Sequence, residues 1–173
     1  SGASQQDQLV DWTIISDAAT GLDFSNAIAG ETRAFSGLTG VFDAISYSAA
    51  LFTNNGFEGD RQVIDVSGDG ANNNSSYQMT KEAAQAAALS NGVDAIKGLA
   101  ILGEGGLETW YNNNVKFGSG AFVVAANDFA DFSDALTNKL ARKISSVPEP
   151  TTMLLFGTGL ASLAAIGRRR ERK

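Results

Sequence analysis

The residues best suited to chemistry lie in one stretch, residues 61–74, RQVIDVSGDGANNN. Asp65, Ser67 and Asp69 set carboxylate and hydroxyl oxygens at two-residue spacing, and Gly70 frees the backbone to turn. Hard oxygens gathered at the carboxyl end of a strand suit a Mg²⁺- or Ca²⁺-type ion.

Three readings of that stretch compete: a calcium loop, a plain polar turn, and an adhesion-type site that rests on a resemblance given below; a hydrolase pair is a separate alternative. A calcium loop of the EF-hand kind needs D-x-[DN]-x-[DN]-G and a bidentate Glu at its twelfth position. Asp65, Asp69 and Gly70 match, but Ser67 stands third and Ser76 twelfth, which is a poor fit. Paired carboxylates, Asp65 with Asp69, would equip a polysaccharide hydrolase. The two point the same way along a strand, but no general-acid environment accompanies them. The plain structural reading is a polar turn after a strand, since Asp, Asn and Gly favour turns on their own. Asp65 itself is better suited to support than to ligation. On a strand buried on both faces its carboxylate needs a partner, such as a helix N-terminus or a backbone turn.

The elements that must position these residues can be read around them. Residues 62–66 (QVIDV) form an expected strand. Thr39 sits in the loop GLTG, residues 37–40, which opens an expected helix over residues 41–52. Val41, Ile45, Ser48, Ala49 and Phe52 fall on one face of that helix, and Asn54, Asn55 and Gly56 end it. Downstream come an Ala-rich helix at 80–90 closed by Asn91-Gly92, and a strand at 95–102. A helical turn at 107–114 and a strand at 121–125 follow. Residues 128–144 form an amphipathic helix whose stripe is Phe129, Phe132, Leu136 and Leu140. Upstream, residues 9–15 (LVDWTII) read as a strand and 16–22 as a turn or helix entry. Residues 24–29 read as a short helix capped by Asp23 or Ser25. Strands alternating with helices imply a βα architecture with a mostly parallel sheet, ending near Ser146; the three-layer α/β arrangement follows from the resemblance given below.

Composition removes several chemistries. The chain of 173 residues has no Cys and no His. That excludes disulfides, thiolate metal sites, His-based acid–base or triad catalysis and His-ligated zinc. Any metal must be held by oxygen. The net charge of −6 divides into +4 on the last six residues and −10 on the other 167. So acidic a body is a poor nucleic-acid binder. The glycines of 103–106 and 118–120 lack both the strand–helix context and the Lys of a phosphate loop. Trp110-Tyr111 beside Asn112–Asn114 has the makings of a sugar platform, though a helix end packed on the sheet is the plainer expectation. Lys81, Glu82 and Lys139 read as solvated helix-face charges.

Residues 147–173 differ in character. Pro148-Glu149-Pro150 breaks the chain, residues 153–167 are small and apolar, and Arg168, Arg169 and Arg170 begin a basic end. Fifteen residues fall short of the roughly 20 that span a bilayer, and the basic end would stay on the cytoplasmic side. This three-part order closely resembles the PEP-CTERM sorting signal of Gram-negative bacteria. The resemblance implies recognition by an exosortase at the inner membrane, cleavage near Pro148-Glu149-Pro150, and release of the body to the cell surface or extracellular matrix. It also implies a setting of exopolysaccharide and biofilm.

The body carries a second resemblance. A Gly/Thr loop opening a helix, followed by a strand ending in Gly68-Asp69-Gly70, resembles the von Willebrand factor type A fold. So do WTIISDA, VIDVSGDG, GAFVVAANDFADF and the order KL-R-I, which resemble an uncharacterised bacterial family with that fold, over residues 8–144. The resemblance implies a metal-ion-dependent adhesion site, with Thr39 as its loop Thr and Asp69 as its later Asp, acting through water. That fold's D-x-S-x-S loop does not precede Thr39. The chain begins at Ser1, and a truncated domain is expected, lacking the first strand, the first helix and the second strand.

The expectation is therefore a partial von Willebrand A-like domain over residues 1–146 with a sorting segment over 147–173. The protein is expected to be an exported, non-enzymatic adhesion or interaction protein binding a surface protein or polysaccharide, with Mg²⁺, Mn²⁺ or Ca²⁺ in the intact form. A matrix-polysaccharide hydrolase or an inert matrix component are the alternatives.

Overall fold

AIKGLAI, residues 95–101, is apolar with almost no alternation, the pattern of a strand covered on both faces. In the computed structural model, which describes residues 5–32, 34–57, 59–73, 79–103, 105–128 and 131, every residue of this strand is buried. The elements are α1 (Ala18–Gly30), α2 (Val41–Ala50), β1 (Val63–Gly68), α3 (Lys81–Ser90), β2 (Ala95–Ile101), α4 (Leu107–Asn114), β3 (Phe117–Gly118) and β4 (Val123–Ala126). β2 is central. β1 runs parallel to it from Val63 opposite Ala95 to Gly68 opposite Ala100. On the other edge β4 is parallel over Gly98–Ile101, and the two residues of β3 are antiparallel to Ala95 and Ile96. The mostly parallel mixed α/β sheet expected from the alternation is what forms.

One face of the sheet carries the main core. Ile64, Ile96 and Ala100 pack there with Val41, Ile45 and Ala49 of α2, Ala84 and Ala88 of α3, and Leu107 and Tyr111 of α4. Small alanines on α3 let it lie close beside α2. The opposite face presents Leu99, Ile101 and Ala126 as a second cluster. A helix over 128–144 falls almost entirely outside the described residues, as does the stripe from Phe129 to Leu140.

Several expectations are corrected. Residues 9–15 are not a strand and pair with no described strand; Trp12 instead packs on Phe52 and Phe57 at 5.1 and 6.1 Å between ring centres. The short helix at 24–29 is the second half of α1. Its cap is Asp17, whose carboxylate accepts from the Thr20 amide at 2.8 Å while the Thr20 hydroxyl accepts from the Asp17 amide at 3.1 Å. Among the described residues, no buried core residue lies in α1. α2 ends at Ala50, two residues earlier than expected: the Leu51 and Phe52 amides donate to the Ser48 and Ala49 carbonyls in a tighter turn, and Asn54 and Gly56 then turn the chain with positive φ. β1 runs two residues further than expected, so Ser67 and Gly68 belong to the strand and not to the turn after it.

Candidate functional site

The carboxyl end of β1 is where the expected residues meet. Asp69 leaves the strand exposed to solvent, followed by the buried Gly70. A Cβ built on Gly70 would stand 3.2 Å from Thr39 Oγ1, so the Thr39 hydroxyl lies against the Asp69–Gly70 backbone. Two residues thirty positions apart in sequence thus share one edge of the sheet.

Asparagines hold the two loops together. The Thr39 amide donates to Asn73 Oδ1 at 2.7 Å, and the Asn73 amide donates to the Thr39 carbonyl at 3.0 Å. Asn72 Oδ1 accepts from the Phe42 amide at 3.3 Å. Gly40, the N-cap of α2, makes no side-chain cap, so Asn72 satisfies one of the helix's unpaired amides from the neighbouring loop. Asn74 lies outside the described residues. Asp43, in the first turn of α2, is buried and carries the sign that suits a helix N-terminus.

Below this edge lies Tyr111. Its ring stands over Gly98, where a Cβ would be 2.9 Å from Cδ1, and its hydroxyl reaches Gly68, where a Cβ would be 2.5 Å from the phenol oxygen. Glycine in a strand interior marks a close approach, and that was the signal in the sequence for Tyr111. The side chain is wholly buried and its hydroxyl has no hydrogen-bond partner. Burial, and to a lesser degree the charge of Asp69, push its pKa up to about 12.

Other expected groups take structural parts. Asp65 sits opposite Lys97 in the β1–β2 register. Lys97 is buried, with its ammonium 4.7 Å from the centre of the Phe122 ring. Asp65 itself is exposed, so β1 is not buried on both faces. Trp110 lies nearly parallel to Phe42 at 5.8 Å, and Tyr111 is covered, so the aromatic pair offers no open platform. The Asn112 and Asn114 amides turn back onto the carbonyls of Glu108 and Trp110. Lys81 is not merely solvated: it donates to the Asn113 carbonyl at 2.8 Å, at the negative end of α4.

The fit to a divalent cation is chemical and partial. Thr39 and Asp69 offer hard oxygens at one edge, beside a buried hydroxyl without a partner. Among the described residues no three His, Cys, Asp or Glu side chains gather as a ligand set. Clefts of about 440 and 420 Å³ lie along the N-terminal segment, at Leu9 and Trp12 respectively, and not at this edge. No described helix is long and apolar enough to cross a membrane. Pro148, Glu149, Pro150, Arg168, Arg169 and Arg170 lie outside the described residues.

Comparison with known proteins gives two family matches. The PEP-CTERM protein-sorting motif matches residues 146–173, and it implies an extracellular protein sorted by an exosortase and exported through the membrane to the cell surface. No curated protein and no solved structure matches the chain. The second model covers residues 1–148, and by that match the chain belongs to the family described as Protein of unknown function (DUF1194).

Proposed function

We propose that this is a non-enzymatic adhesion or interaction protein of the cell surface or extracellular matrix, built on a von Willebrand factor type A-like domain of three layers. It works in an exopolysaccharide or biofilm setting, where it binds a surface protein or polysaccharide. Thr39 and Asp69 contribute oxygens to a divalent-cation site at the carboxyl edge of the sheet, completed by water and further oxygen ligands. The observation that carries this is the placement of the Thr39 hydroxyl against the Asp69–Gly70 turn, locked there by Asn72 and Asn73.

A hydrolase working through Asp65 and Asp69 is less well supported. Four positions along a strand separate Cα atoms by roughly 13 Å, whereas glycosidase carboxyl pairs stand about 5–9.5 Å apart. Asp65 also faces Lys97 across the sheet.

The test is thermal unfolding with increasing Mg²⁺ or Mn²⁺, on the longest form the gene encodes. A cation site gives a concentration-dependent rise in Tm that Thr39→Ala and Asp69→Ala each abolish. A wild-type Tm that ignores both ions removes the cation from this proposal.

A further inference from the structure

β1 is an edge strand, paired with β2 on one side and with no described strand on the other. The ladder fixes which of its backbone groups face outward. The Gly98 amide donates to the Phe122 carbonyl at 3.1 Å and the Leu102 amide to the Ala126 carbonyl at 2.8 Å. Even-numbered residues along β2 therefore bond towards β4, and odd-numbered ones towards β1. Ala95, Lys97 and Leu99 stand opposite Val63, Asp65 and Ser67. In a parallel ladder one residue of each facing pair bonds across and the other bonds away. Val63, Asp65 and Ser67 thus point their N–H and C=O groups out of the sheet edge. No described residue hydrogen-bonds the main chain of Val63 or Ser67 there. An open edge is ordinarily blunted by Lys, Pro, a bulge or a covering element. β1 has no Lys or Pro, its register with β2 is unbroken, and its one charge is the exposed Asp65.

We infer that the open edge of β1 is a docking site for an extended segment of a partner protein, which adds a strand to the sheet and sets a Lys or Arg beside Asp65. This rests on the interaction reading above, and of the two partners named there it selects the protein; it owes nothing to the cation. Alternating N–H and C=O groups along a strand are matched by another extended backbone, and a polysaccharide has no such repeat. Charge chooses among backbones. Directly opposite side chains on paired strands stand about 4.5–5.5 Å apart, where like charges repel. A second copy joined edge to edge about the middle of β1 would set Asp65 against Asp65, on a body that already carries −10. A basic segment meets the opposite sign in both.

The probe is a short capped peptide alternating valine and lysine, added to the longest form the gene encodes. The Val63 and Ser67 amides exchange quickly with deuterium in the free protein and slow on binding, while those of Ile64 and Val66, already in the ladder, stay as they were. By fluorescence anisotropy, methylating the peptide's backbone nitrogens weakens binding about tenfold or more. Replacing its lysines by glutamates weakens it about two- to fivefold, and Asp65→Asn removes that preference without removing binding. Ser67→Pro deletes an outward amide and no bond to β2, and it weakens binding at an unchanged urea midpoint. An affinity that is the same in EDTA and in Mg²⁺ supports the edge, whatever the Tm test above finds. Val63 and Ser67 amides already protected in the free protein overturn the inference, because the edge is then filled. So does an affinity indifferent to N-methylation, or one that vanishes in EDTA, or no binding at all; none of these touches the cation test.

Discussion

The N-terminal segment and the sheet are made of similar residues and end with opposite packing. Ile14 is 70% exposed and Ile15 54%, while Ile64 is 6% exposed and Ile96 is fully covered. LVDWTII has the β-branched and aromatic content of a strand as surely as QVIDV does. The difference is a partner. β1 has β2 along its whole length, with each residue from Val63 to Gly68 matched in register. Residues 9–15 have no described strand beside them, and Trp12 settles instead on two phenylalanines. Strand propensity reports a fit to a pleated, half-buried surface, and without that surface it has no expression.

The comparison can be broken most sharply by truncating one isoleucine in each region. Ile96→Ala, in the centre of the sheet, should lower unfolding free energy by about 2–5 kcal/mol. Ile14→Ala should change it by less than about 0.5 kcal/mol, both read by urea denaturation. Equal losses would mean that residues 9–15 belong to the core.

pH separates the regions from the alkaline side. The Tyr111 pKa is raised to about 12 by burial, with Asp69 adding to it. Above about pH 10 the unfolded chain gives up this proton while the folded chain keeps it. Stability contributed by the protonated phenol is complete below that pH and is lost as pH rises towards 12. Tyr111→Phe should flatten the alkaline fall in Tm, and an unchanged fall would refute the assignment.

Asn72→Ala tests the join between the loops. Losing a cap to α2 should cost about 1 kcal/mol, and the Phe42 amide should exchange faster with deuterium. The smallest effect belongs to α1. Hydrogen bonds from the Thr20 amide and then its hydroxyl hold the Asp17 carboxyl below its usual value. The cap is therefore present above about pH 4 and is lost as pH falls through the lowered pKa. Amide exchange in α1 should quicken at acid pH before that of β2 changes, and Asp17→Ala should remove this acid response.

Much of the sheet side was legible because local signals agreed there. The apolar run of β2, the alanines of α3 and the Asn91-Gly92 stop each named an element that formed. Legibility failed where a residue's partner lay far off in sequence. The cap of α2 is thirty positions downstream. The two residues of β3 are too few to carry a pattern. At the N-terminus three capping candidates, Asp17 with Thr20, Asp23 and Ser25, stand within one helix length, and the first of them starts α1. At the candidate site, Asp69 stood out by its spacing from Asp65 and Ser67, and Thr39 only through a resemblance. Tyr111 packs on the sheet as the plainer expectation for that helix end had it, and Gly68 and Gly98 make the room.

The pair of hydrogen bonds between Thr39 and Asn73 also says something about time. They close a loop of 34 residues. By the logarithmic scaling of closure entropy this costs about 3 kcal/mol, more than two exposed hydrogen bonds return at roughly 1 kcal/mol each. The bonds cannot recruit the loops; they form once α2 has docked on β1. The Thr39–Asp69 edge therefore depends on the packing of α2 against β1 and does not create it. A partner or ion that bridges it would lengthen the lifetime of the folded state without touching the core.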